Sequence, residues 1–323
     1  MTDSRSALVA ALAEELARPA PPQALEVSAE VRRRHGSSVA AVLFYGSCLR
    51  KQRPDEGVLD FYALVHGYAG AYRSNLMAWS NAALPPNVFY AELAGRNGVI
   101  RTKYAVISLE DFARGCRPES LHSIVWARFC QPALLVWSES KAVAAHVAEL
   151  AADATLTMVL RGAALLADDE GRATFSAEAL WQRGFDETYR TELRTESPET
   201  IASIYRSAPE RYERMTALAL SVLNEEGVLV LESSAATHRV RMAPALRRRL
   251  VVGWKAWRPV AKSLYAMRLV KSAVTFGDWL PYAIWKLNRH TGDRIEPTDR
   301  QRRHPLVYGW PVILRLLRQQ KLR

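Results

Sequence analysis

Two apolar runs joined through a Gly-Ser turn constrain this chain more than any other feature. Val42-Leu43-Phe44-Tyr45 leads into Gly46-Ser47, and a single acid, Asp60, sits within the second run, Val58-Leu59-Asp60-Phe61-Tyr62-Ala63-Leu64-Val65. Short apolar runs bounded by turn residues read as strands. A glycine lets the chain turn sharply after the first of them. A serine opening a helix then offers backbone N–H groups and a hydroxyl to an anion such as a phosphate. An acid between Leu59 and Phe61 on a central strand needs a partner, and a metal ion held against that phosphate is one. The residue two before Asp60 on the same strand face is Val58, so a two-carboxylate clamp is not spelled out there.

The pattern continues as strands over 39–45, 58–65, 87–94, 99–107 and 133–137, with a helix over 68–82. This order suits a mixed sheet with helices on one side. Asn97-Gly98 between two of these strands is a hairpin signal. A helical N-terminal segment is broken by Pro19, Pro21 and Pro22, and Val27–Arg34 follows as a second helix after Ser28. Beyond 140 the periodicity turns helical over Ala142–Ala164, Ser176–Arg183 and Pro198–Val222, and a strand pair is expected over Gly227–Leu231 and Arg239–Met242. The expected fold class is therefore α/β (α+β). Three regions are expected: 1–140 with the mixed sheet, 141–243 mostly helical, and 244–323 basic and amphipathic.

Charge is distributed unevenly. The chain of 323 residues carries a formal net charge of +11, yet Arg239–Arg323 alone holds 20 Lys and Arg against 4 Asp and Glu. That balance of +16 leaves −5 on the rest and points to a polyanionic partner for the last region. Lys262, Arg268, Lys271 and Lys286 alternate there with Leu, Tyr, Met, Val and Trp. The alternation fits either a packed helix pair or a helix lying on an anionic membrane surface. Cys48, Cys116 and Cys130 show no C-x-x-C spacing, so neither a disulfide framework nor a zinc site is expected. No run of eighteen uncharged apolar residues marks a bilayer span. The histidines, His35, His66 and His122 among them, show no ligand spacing.

Read in order, these segments resemble the polymerase-beta-like nucleotidyltransferases. Within them they resemble the mitochondrial translocator-assembly-and-maintenance type of phosphatidate cytidylyltransferase and its bacterial relatives. The matching pieces are Phe44-Tyr45-Gly46-Ser47 with Gln52, Leu59-Asp60-Phe61, Asn87-Val88-Phe89-Tyr90 and Lys103-Tyr104-Ala105-Val106-Ile107-Ser108. They continue with Ala127-Arg128-Phe129 before Pro132, then Lys262-Ser263-Leu264-Tyr265 through Lys271-Ser272 to Trp285-Lys286. Cys48 and Gln131 depart from that family, which tends to have glycine and lysine there.

The resemblance implies condensation of CTP with phosphatidic acid to CDP-diacylglycerol and pyrophosphate, with Mg2+ as cofactor. It implies a peripheral enzyme at the cytoplasmic face of a bacterial inner membrane, docked on anionic lipid through Lys262, Arg268, Lys271 and Lys286. Asp60 and Lys103 are the expected catalytic residues, with Asp60 as the metal ligand. Glu92 is a candidate second ligand. Gly46, Ser47, Gln52, Tyr90 and Arg128 are the expected nucleotide-binding set. No nucleic-acid partner is expected. Two alternatives stay open: transfer to another lipid headgroup or small-molecule acceptor, and an inactive fold of this type used to bind nucleic acid.

Overall fold

The computed structural model describes residues 3–52, 57–96, 98–120, 122–192, 197–234 and 237–275. Helices α1 (Asp3–Leu16) and α2 (Pro22–His35) precede β1 (Val39–Tyr45). The chain continues through α3 (Ser47–Arg50), β2 (Val58–Val65), α4 (Tyr68–Ala71), α5 (Asn75–Ala83), β3 (Asn87–Gly95) and β4 (Gly98–Ser108). Next come α6 (Leu109–Cys116), α7 (Trp126–Phe129), β5 (Ala133–Ser138) and the 26-residue α8 (Lys141–Leu166). The last described elements are β6 (Arg172–Phe175), α9 (Ala177–Thr191), α10 (Pro198–Arg206), α11 (Pro209–Glu225), β7 (Leu229–Ser234), β8 (His238–Met242) and α12 (Pro244–Thr275).

This is a mixed α/β fold around a five-stranded sheet of order β3-β4-β2-β1-β5. Only β2 and β4 run parallel; β1–β2, β1–β5 and β3–β4 are antiparallel. The hairpin expected at Gly98 closes with Gly95 paired to Gly98. The single helix expected over 68–82 is two, because Tyr72-Arg73-Ser74 leaves helical geometry and the Ser74 hydroxyl accepts from the Met77 N–H to start α5 afresh.

Helices cover both faces of the sheet, not one. Strand side chains alternate between faces, and each face has its own apolar set. Val42, Phe44, Phe61 and Ala63 join Val27 and Val31 of α2. Leu43, Tyr62, Leu64 and Ile107 join Leu12 of α1, Phe112 of α6, Phe129 of α7 and Ala148 and Ala151 of α8. The second core runs on through Trp181, Tyr212 and Leu220 to Trp254 of α12, so it ties the sheet to the helical half. A helix apolar on all sides belongs in such a position. α8 is that helix: among the described residues it alone is long and apolar enough to cross a membrane, and here most of it is buried in protein.

The first half of the basic region is packed rather than free. α12 has 32 residues, which makes it about 48 Å long at 1.5 Å per residue. Trp254 enters the core, Arg258 pairs with the buried Glu187 of α9, and Arg247 reaches Asp169 and the Ala167 carbonyl. Its far end crosses β3.

Candidate functional site

Register across the sheet brings the singled-out residues into one row. Tyr45 pairs with Asp60, Asp60 with Lys103, and Lys103 with Tyr90. Direct partners on adjacent strands share a face, so all four point to the side occupied by α1, α6, α7 and α8. Gly46 follows Tyr45 with φ +94, a conformation that side chains rarely adopt. A Cβ built there would lie 2.9 Å from Asp60 Oδ2. The acid therefore lies directly against the glycine turn, and only glycine leaves room for it.

Asp60 Oδ1 is engaged from the other side by Lys103 Nζ at 2.9 Å. The pair is partly exposed, with the lysine side chain 36% and the aspartate side chain 21% accessible. Ser47 opens α3 beside them, and Cys48 is turned inward, its Sγ donating to the Val58 carbonyl at 3.4 Å. The residue where a second strand acid would stand, Val58, thus meets the turn through its backbone carbonyl. Gln131, where the resembled family tends to have lysine, bridges α3 and α7. Its Oε1 accepts from Arg50 Nη1 at 3.0 Å, and its Nε2 donates to the Ala127 carbonyl at 2.6 Å.

Other expected site residues are placed differently. Arg128 spends its fork on Glu192, with Nη1–Oε1 and Nη2–Oε2 distances of 3.2 and 3.3 Å, and Nη1 also donates to the Ile124 carbonyl at 2.7 Å. Burial opposes its charge, but the Glu192 carboxylate more than compensates and raises its pKa. The Tyr62 hydroxyl donates to that same Ile124 carbonyl at 3.2 Å, next to Asp60's face. Tyr90 donates to Glu92 Oε1 at 2.7 Å, and Arg101 Nε holds the same oxygen at 3.2 Å. Glu92 is two strands and two residues from Asp60, roughly 12 Å by strand spacing.

A cavity of about 920 Å³ opens on the other side of α3. Gln52 lines it with Phe44 and Leu134, whose side chains face away from Asp60, and with Arg50, Arg211 and Met215. Gln52 itself has φ +53 and is exposed. It therefore stands apart from the row formed by Asp60, Lys103 and Tyr90.

Among the described residues the donor set does not fit a protein-built Mg2+ site. Among the described residues no three His, Cys, Asp or Glu side chains converge. Asp60 stands alone at the turn with an ammonium on one oxygen, and Glu92 is occupied by Tyr90 and Arg101. Asp55 and Glu56 lie outside the described residues. Burial raises the pKa of Tyr62, with Arg128, Arg268 and Lys103 acting to lower it and Glu192 to raise it.

Two of the residues expected to meet a membrane face inward. Arg268 Nε donates to the Pro85 carbonyl at 2.9 Å, and Lys271 Nζ donates to the Leu84 carbonyl. Both side chains are partly buried because α12 packs over the start of β3. Lys262 is exposed on α12, and Lys286 lies outside the described residues. Nothing in the local sequence distinguished Arg268 from Lys262. The contact with Pro85 spans 183 residues.

The chain is similar in structure to a nucleotidyltransferase-like protein from Exiguobacterium sibiricum 255-15, at 10% sequence identity and a TM-score of 0.28, over 93% of this chain and 92% of that one. No protein-family model and no curated protein matches it. The site's own geometry is what bears on function.

Proposed function

We propose that this chain is a nucleotidyltransferase that joins a nucleoside triphosphate to a phosphate-bearing acceptor, with CTP and phosphatidic acid as the pair. The observation that carries the reading is the contact of the Asp60 carboxylate with the Gly46 turn on one oxygen and with Lys103 on the other. In this reading an oxygen of the acceptor phosphate attacks the α-phosphorus of CTP. The new O–P bond forms as the bond to the β-phosphate oxygen breaks, and pyrophosphate leaves.

Asp60 is the positioning group that keeps the Lys103 ammonium at the turn. Lys103 neutralises charge gathering on the transferring phosphoryl group, which is where a fixed cation contributes most. Ser47 and the turn offer hydroxyl and N–H donors to the remaining phosphates. The family resemblance, not the site, selects cytidine and the diacyl acceptor.

A second reading has one observation in its favour. Helices α9, α10 and α11 lead into the β7–β8 hairpin, and β6 completes a sheet of order β6-β8-β7. This arrangement resembles a winged helix–turn–helix, a fold that often carries its reading helix into a DNA groove. Against it, both arginines of α11 face acids of α1. Arg211 is bound to Glu15 at 2.6 Å, and Arg214 lies 3.9 Å from Glu14. Arg211 is thus buried in its pair with Glu15, which leaves the helix one exposed cation, Arg214, for a groove.

The deciding experiment incubates the purified protein, with magnesium present, with each labelled nucleoside triphosphate and phosphatidic acid vesicles. Labelled CDP-diacylglycerol from CTP, lost in Asp60→Ala, is the expected result. Absence of lipid product from every nucleotide would defeat the reading.

A further inference from the structure

We propose that the cavity behind α3 binds an apolar monocarboxylate, with its acid group on Arg50 and its body against Phe44, Leu49, Leu134 and Met215. At about 920 Å³ the space lies within the range of small-molecule sites. It opens where four stretches distant in sequence meet. These are the end of α1 with its link to α2, α3 behind the Gly46 turn, the entry to β5, and the junction of α10 with α11. Phe44, Cys48 and Leu134 belong to the apolar set on the α2 side of the sheet, and Leu49 packs against it. Met215 belongs to the other apolar set, and Ala208 packs against that one. Both cores thus reach the wall of one cavity. An apolar lining with a few placed polar groups is the usual make-up of a ligand site.

Four arginines and three glutamates share that wall, an excess of one positive charge. Most of the charge is already matched. Arg211 is held by both oxygens of Glu15 and by the Cys130 carbonyl, and Arg214 stands 3.9 Å from Glu14. Arg18 and Glu210 are both exposed and offset each other. Arg50 differs. It is half-buried, and its Nη1 donates at 3.0 Å to the neutral side-chain carbonyl of Gln131. Gln131 is itself fixed by donating from Nε2 to the Ala127 carbonyl at 2.6 Å. The amide therefore orients the guanidinium without neutralising it, and among the described residues no carboxylate pairs with Arg50. A half-buried cation normally has such a partner. Its planar fork is the group that best matches an incoming carboxylate.

The same wall sets the charge of the occupant. One excess cation balances one negative charge, and the carboxylates of Glu14, Glu15 and Glu210 repel a second. A phosphate dianion or a nucleotide therefore fits less well than a carboxylate whose remaining bulk is apolar. The site is distinct from the row formed by Asp60, Lys103 and Tyr90, because Phe44 and Leu134 face away from Asp60.

The test titrates the full chain by calorimetry with octanoate, octanol and octyl phosphate, comparing wild type with Arg50→Met, Arg50→Lys and Ala208→Trp. Octanoate should bind wild type at least tenfold more tightly than octanol or octyl phosphate. Arg50→Met should weaken octanoate at least tenfold, with partial recovery in Arg50→Lys. Ala208→Trp, whose ring fills the space, should abolish binding. Octanol or octyl phosphate binding as tightly as octanoate overturns the assigned class. No octanoate binding to wild type, or unchanged affinity in folded Arg50→Met, overturns the site. If the variants do not fold, Cys48 decides in wild type. Its thiol lines the cavity, while Cys116 and Cys130 are fully buried and serve as internal references. Octanoate should slow alkylation of Cys48 by iodoacetamide several-fold, read by mass spectrometry, and unchanged labelling overturns the proposal.

Discussion

Lys103 reaches across from β4 to place its ammonium 2.9 Å from Asp60 Oδ1, while the other oxygen of that carboxylate faces Gly46. An acid that orients a transferring cation behaves differently under substitution from one that only braces the fold. Asp60→Asn and Lys103→Met should each lower kcat by about 10²–10³ in the cytidylyl-transfer assay. The double variant should lose little more than either alone, since the two act as one unit. Being partly exposed, the pair adds only about 0.5–1 kcal/mol to stability, so urea unfolding should barely change. Multiplicative losses in the double variant would separate the two roles.

Gly46→Ala tests the same contact from the turn. The added methyl meets Asp60 Oδ2 at 2.9 Å at a backbone φ of +94. Both the strain and the displacement of the carboxylate follow from one atom. A stability loss of about 1–2 kcal/mol is expected, together with an activity loss as large as that of Asp60→Asn. A variant as active as wild type would show that the carboxylate's position at the turn is immaterial.

The sheet was legible because its strands alternate and end in turn residues. The five strands expected for the mixed sheet coincide with observed ones to within a residue at each end, and the row from Tyr45 to Lys103 follows once the order is known. β6 escaped notice because four residues, Arg-Ala-Thr-Phe, show too little periodicity to stand out, and its pairing with β8 is long-range. Helices on both faces, by contrast, had a signal in the sequence. β1 and β2 read as unbroken apolar runs, which is the pattern of strands buried on both sides. The fate of Arg268 and Lys271 was not legible at all. Their alternation with apolar residues is the same whether a helix meets lipid or protein, and only packing against Leu84 and Pro85 decides between them.

Removing Glu15 isolates an arginine. Arg211 and Glu15 join α11 to α1 with side chains only 11% and 12% exposed, and Arg211 also donates to the Cys130 carbonyl at 2.8 Å. Glu15→Ala leaves that guanidinium buried without its counter-charge, at about 3–5 kcal/mol. Glu14→Ala, one residue away on an exposed pair, should change stability by less than about 0.5 kcal/mol. Urea midpoints for the two variants give the comparison, and similar midpoints would mean that α1 is held by its apolar face alone.

His122 supplies a pH dependence with a definite sign. Burial, helped by the Arg268 charge, lowers its pKa to about 4, and its ring packs edge-on against Trp257 of α12. Below about pH 6.5 the unfolded chain protonates this imidazole while the folded chain does not. The unfolded state then binds more protons, so stability falls with falling pH. The contribution is intact above pH 6.5 and is lost progressively down to about pH 4, by roughly 1–2 kcal/mol after allowing for solvent screening at a partly exposed ring. Urea unfolding of His122→Gln should show a shallower decline than wild type across that window. Arg268→Met should raise the His122 pKa measured by NMR, because it removes the nearby positive charge. A His122 titrating at its ordinary value in the folded chain would mean that α12 does not rest against it.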